Sequence, residues 1–180
     1  MKPVLHFSLL IFIAIFLWGC PYESSYPIDK EPMQNIDEDL LGKWAAFAAR
    51  PANDGETKEM PVKIIFSKRN EMEYDIFITG YIEELRRYKV IKDDTIRGTA
   101  FISTIANKEF LNTFIFGKIY IAEMRKENTF LSLFTLNEHF TSKYIKNSES
   151  LRLSIDFHYK TRAKPSYDEW FIIKNLQKVN

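Results

Sequence analysis

Along most of the chain, apolar and polar residues alternate with a period of two, and the alternation is interrupted by a turn signal roughly every ten residues. Met72-Glu73-Tyr74-Asp75-Ile76-Phe77-Ile78 puts Tyr74, Ile76 and Ile78 on one side, the mark of a strand with one face buried. Val62–Ser67 precedes it, and Gly80 turns the chain into Tyr81–Ile91. After Asp93-Asp94, Thr95–Ile105 aligns Ile96, Gly98, Ala100 and Ile102 on one face. Small residues there predict a barrel interior or a sharp bend. Asn107-Lys108 leads into a short Glu109–Asn112 piece, then Thr113–Met124 interrupted at Gly117, and Glu127-Asn128 turns into Phe130–Leu136. The pattern predicts seven or eight antiparallel strands in meander order, which argues for a sandwich or an up-and-down barrel. The enrichment in β-branched and aromatic residues agrees.

Two regions depart from that rhythm. Glu138–Asn147 alternates little, with Phe140, Tyr144 and Ile145 at helical spacing. Beyond it, Leu151, Leu153, Ile155, Phe157 and Tyr159 alternate as a strand would, while Leu151, Ile155 and His158 also share a helix face. Asn147 or Ser148 as cap, Glu149 in the first turn, Lys160 and Arg162 in the last and Pro165 as a stop favour a helix over about 148–162. Asp168–Lys174 reads as a final strand. At the other end, Lys2 precedes an apolar stretch of about 11 residues, against the ~20 a spanning helix needs, so residues 1–19 read as a signal peptide. Residues 20–35 carry three prolines and little apolar material, and read as a flexible tether holding the domain some 30–50 Å from its attachment. The globular domain is expected over residues 36–180.

The apolar stretch ends on Leu17-Trp18-Gly19-Cys20, which resembles the lipobox of bacterial lipoproteins. That resemblance implies cleavage after Gly19 and a diacylglycerol on the Cys20 sulfur. It also implies a mature protein held on the cell envelope by lipid, with the outer membrane favoured because Pro21 follows the cysteine. Two acyl chains anchor stably where one does so only marginally. Gly42-Lys43-Trp44, entered through a short acidic turn, is similar to the first barrel strand of the lipocalin family. The similarity implies an eight-stranded lipocalin-like barrel with a C-terminal helix and a last strand, closed at one end by Trp44 with Gly42 providing the bend. The family's Arg over the Trp has no match in this sequence, and Lys174 is the residue expected to stand in for it.

Composition narrows the function classes. Loss of residues 1–19 removes Lys2 and leaves 24 basic against 24 acidic side chains, without the basic surplus of a nucleic-acid binder. The single cysteine is the lipidation residue, so no disulfide framework or thiolate metal site is expected. His139 and His158 have no partners at metal-ligand spacing, and neither metal nor cofactor is expected. The Glu83-Glu84 and Asp93-Asp94 pairs suit solvated turns better than acid–base roles, and no nucleophile elbow or phosphate loop is present. The basic stretch His158–Lys164 is explained by a cationic helix end. The sequence therefore favours a non-enzymatic, lipid-anchored barrel that binds a small hydrophobic ligand. Its rival is an interaction module with a filled barrel, an inhibitor or assembly factor with a protein partner in the envelope.

Overall fold

The computed structural model describes residues 23–51, 57–80, 95–137, 145–161 and 167–179. Eight strands run in chain order: β1 Gly42–Pro51, β2 Thr57–Lys68, β3 Tyr74–Thr79, β4 Thr95–Ile105, β5 Lys108–Ile115, β6 Lys118–Glu127, β7 Phe130–Leu136 and β8 Tyr167–Val179. Helix α1, Ser148–Lys160, lies between β7 and β8. Each strand pairs antiparallel with the next, and β8 returns to β1, closing the barrel. The protein is thus a mainly β, eight-stranded antiparallel barrel with one helix near its C-terminus.

Alternation along the strands separates two cores. Inward positions of all strands build the first: Trp44, Val62, Ile64, Phe66, Tyr74, Ile76, Ala100, Ile102, Leu111, Met124, Leu131 and Leu176 are among its buried members. The second lies outside the barrel wall, where Ile105, Phe110, Ile121 and Leu136 meet Leu151 and Ile155 of α1 and Ile28 from the N-terminal segment. Strands β4 to β6 are therefore buried on both faces, which explains the unbroken buried runs Phe101–Ser103, Phe110–Thr113 and Ile121–Met124. The remaining outward positions carry Lys43, Lys63, Asp75 and Arg97. Apolar residues share that outer face, among them Phe47, which is 68% exposed, and Phe77.

The helix forms where its caps and apolar face place it. The Asn147 side chain accepts from the Ser150 amide at 2.8 Å, and Ser150 reaches back to the Asn147 amide, a reciprocal cap. The segment that also alternates as a strand is a helix because Leu151 and Ile155, four apart, both reach full burial on one side.

Three expectations are revised. The interruption expected at Gly117 within Thr113–Met124 is a full chain reversal, and the short Glu109–Asn112 piece is continuous with Thr113–Ile115 in one strand, β5. Phe116 and Gly117, at φ 53° and 77°, form the tight turn of a β5–β6 hairpin, and both central positions need positive φ. The last strand runs on to Val179, because a left-handed residue at Asn175 (φ 58°) bulges the chain and lets pairing resume with Leu176 buried. The tether expected over residues 20–35 is docked from Ser24 onward. Ser24 bridges to Ile119, Ile28 is 1% exposed and donates its amide to Asn112 Oδ1 at 2.7 Å, and Asp29 pairs with Arg152 at 2.6 Å. Ile28 supplies the apolar anchor that a solvated linker lacks. The segment Tyr81–Ile91, the Asp93-Asp94 turn, Asn53-Asp54-Gly55 and Phe140–Tyr144 lie outside the described residues.

Candidate functional site

One end of the barrel is shut. The 3₁₀ turn Glu38–Leu40, capped by Asp37, lays Leu40 across the end, and Trp44 Nε1–H donates to the Leu40 carbonyl at 2.8 Å. Tyr74, fully buried and edge-on to Phe66 with ring centres 5.8 Å apart, accepts the Asp37 amide at 2.6 Å. Burial pushes the Tyr74 phenol well above its usual range, so it stays a neutral hydrogen-bonding group. Burial also acts to raise the Asp37 carboxyl, but the Lys126 ammonium and the Asp39 amide outweigh it and hold the group low. The cation over the Trp44 ring is Lys178, its Nζ 5.8 Å from the ring centre and 3.1 Å from the Asp39 carbonyl. Lys174, the expected candidate, faces outward, because the bulge at Asn175 shifts the alternation and turns Lys178 to the inside beside Trp44. Gly42, at φ 116°, enters the strand in a backbone conformation that other residues rarely adopt.

The other end is built differently. Upper inward positions carry small groups, Ala46, Gly98 and Thr113, and half-buried apolar ones, Ile78, Phe171 and Ile173, which pack on top of the filled core. Gly98 lets β4 and β5 approach closely, since a Cβ there would fall 2.4 Å from the Phe114 carbonyl oxygen. The seam between β1 and β8 pairs only Lys43↔Val179, Trp44↔Lys178 and Ala45↔Gln177. Pairing stops where Asn175 turns left-handed and gives its amide to Ser132 Oγ of β7 at 3.1 Å. Alongside the seam opens a cleft of about 900 Å³. Its walls are Ala45, Ala46 and Phe47 of β1, Pro61, Val62 and Lys63 of β2, and Ile172, Lys174, Asn175, Gln177 and Val179 of β8. Most of these, Ala45, Phe47, Pro61, Lys63, Ile172, Lys174, Gln177 and Val179, are outward positions, and Val179 pairs with Lys43 beside the shut end, so the cleft is a groove on the outer wall of the seam.

Outside the barrel, a buried charge holds α1 in place. Glu123, 1% exposed on the outer face of β6, accepts from Arg125 Nε at 2.8 Å and from the hydroxyls of Tyr159 on α1 and Tyr167 on β8. Arg125 stacks 4.0 Å from the Phe134 ring centre. Burial alone would raise the Glu123 carboxyl, but its three donors hold it below the usual range. Burial first, and then the carboxylate, drive both phenols up, Tyr167 to about 12. The arrangement is saturated with mutual partners and does structural work. The residues are distant in sequence, and a Glu in the row Ile119, Ile121, Glu123 gives little sign of burial.

Cys20, Glu83, Glu84, Asp93, Asp94 and His139 lie outside the described residues. Of the basic stretch His158–Lys164, Tyr159 turns inward to Glu123 and Lys160 pairs with Asp156 at 2.5 Å. Among the described residues, no group of three or more His, Cys, Asp or Glu could hold a metal ion, and no helix is long and apolar enough to cross a membrane. No protein-family model matches the chain, and no solved structure matches it. A stretch of 135 residues is 30% identical to reticulocyte-binding protein 2 of Plasmodium vivax (strain Belem), covering 67% of this chain and 5% of that protein. The chain thus spans about a twentieth of the relative's length.

Proposed function

We propose that the protein is a lipid-anchored, lipocalin-like barrel of the bacterial cell envelope that binds a small hydrophobic molecule. The observation that carries this reading is the asymmetry of the barrel. Trp44, Leu40 and Tyr74 shut one end, while toward the other the inward positions are small, Ala46 and Gly98, or half-buried, Ile78, Phe171 and Ile173. A barrel of eight strands has room for one small ligand above a filled base. The test is native mass spectrometry of residues 21–180 purified from a bacterial host without detergent. A reproducible adduct of apolar character, released on denaturation, is the expected result. A clean apo mass, unchanged after incubation with envelope lipid extract, rejects ligand binding.

One feature favours a second reading, an interaction module. Leu153 and Phe157, four residues apart on the outer face of α1, are 62% and 65% exposed. Paired apolar residues on a helix face are the anchors of helix-mediated recognition. A clean apo mass combined with loss of a specific envelope partner on Leu153→Ser would favour this reading.

A further inference from the structure

The first described residues fasten to the barrel near the end opposite Trp44. Glu23 pairs with Lys118 at 2.6 Å, and the Ser24 amide donates to the Ile119 carbonyl at 2.8 Å, both at the start of β6. From there the chain descends the outer wall. Ile28 docks on Asn112, the Thr104 hydroxyl donates to Gln34 at 2.9 Å, and the Ile36 amide reaches the Glu71 carbonyl at 2.9 Å near the closed end. Only four backbone steps separate Cys20 from Ser24, so whatever is attached to Cys20 lies within about 14 Å of the Ser24 backbone. The end so approached is the β5–β6 turn, and its tip is Phe116. That side chain is 62% exposed on a backbone at φ 53°, a conformation that favours Asn or Gly and penalises bulky residues. A large apolar ring in a strained, exposed turn, where a polar residue would fit better, points to a use for the ring outside the fold.

We propose that the barrel stands with the end opposite Trp44 toward the bilayer and that Phe116 inserts into the lipid interface beside the acylated Cys20. The occupant of this surface is a lipid bilayer, because an acylated Cys20 is tied within about 14 Å of Ser24, which pairs with Ile119 on the strand that leaves the Phe116 turn. Aromatic rings settle at headgroup depth, and a second apolar contact next to the acyl anchor fixes orientation where the acyl chains alone would leave the domain free to swing. This inference rests on the reading of Cys20 as the lipidated residue.

The test uses the full chain, processed in a bacterial host and reconstituted into phosphatidylethanolamine–phosphatidylglycerol vesicles. Lipidation blocks the native thiol, so Phe116→Cys supplies the one reactive thiol for an environment-sensitive fluorophore. Met33→Cys, at a side chain 74% exposed near the closed end, is the control. Intact mass establishes whether Cys20 carries diacylglycerol. The expected result is a blue-shifted emission at position 116 that is lost with brominated acyl chains, and water-like, unquenched emission at position 33. Water-like emission at 116 in acylated protein overturns the orientation and leaves the anchor standing. An intact mass without diacylglycerol overturns the anchor, and the orientation with it.

Discussion

Asn112 shows how much a single buried amide can organise. It sits fully buried on the outer face of β5, and its Oδ1 takes the Ile28 amide while its Nδ2 donates to Ser103 Oγ at 2.8 Å and to the Phe101 carbonyl at 3.4 Å. One side chain therefore satisfies groups from β4 and from the N-terminal segment, across 84 residues of sequence. Asn112→Ala leaves the Ile28 amide without its acceptor and removes a partner from Ser103, at about 1–3 kcal/mol for each stranded buried group. The expected outcome is a lowered urea midpoint together with new proteolytic cleavage confined to residues 24–36. Cleavage spread evenly over the chain would mean that Asn112 supports the barrel generally rather than docking this segment. The polar character of Asn112 is plain from sequence, but its burial is not, since alternation assigns it only to a face.

At the scale of elements, α1 is held by an apolar stripe and by one carboxylate. Leu151 and Ile155 close the second core, and Glu123 ties Tyr159 of the helix to Tyr167 of β8. Because the folded Glu123 carboxyl lies below its usual 4.5, its contribution is complete above that pH and is lost as the pH falls through the folded value. The tyrosines work in the opposite sense. With Tyr167 raised from 10 to about 12, their contribution is complete below pH 10 and fades as the pH climbs toward 12. Glu123→Gln is expected to cost about 2 kcal/mol, below the 3–5 kcal/mol typical of a broken buried pair because Arg125 keeps contact with water. It should also flatten the acid limb of stability against pH, read from urea midpoints at a series of pH values. An acid limb identical to that of the wild type would assign the dependence to other carboxylates.

For the molecule as a whole, the proposed ligand would lie against the upper inward positions, above the buried core. Ala46 is the inward residue of β1 that both packs on the core and lines the cleft. Ala46→Trp is expected to occupy the ligand's space and abolish the adduct while leaving the closed end intact. Bound ligand at 100 times its dissociation constant stabilises a fold by about 2.7 kcal/mol. The wild type should therefore gain thermal stability on adding the extracted ligand, and the Ala46→Trp variant should not. Equal gains in both proteins would place the ligand elsewhere, for instance on the exposed Leu153–Phe157 face of α1.

Much of this architecture is local and so was legible in the chain. Period-two alternation predicts the strands, Asn147 caps the helix, and small residues at Gly98 and Ala100 mark the barrel interior, because each signal depends on residues a few positions apart. Gly117 marks a break, but Phe116 is a poor turn residue, and only the closed ladder shows that the chain reverses there. The remaining features required the fold. The docking of Ile28 on Asn112, the Arg152–Asp29 pair 123 residues apart, and Glu123 beneath two tyrosines each join segments that only barrel closure brings together. The same holds for the cation on Trp44, since one left-handed residue at Asn175 reverses which side chains point inward and puts Lys178, not Lys174, beside the ring. Alternation specifies a face relative to its neighbours, but a bulge, a docked segment or an incomplete seam is a contact between distant parts of the chain, and tertiary packing alone decides it.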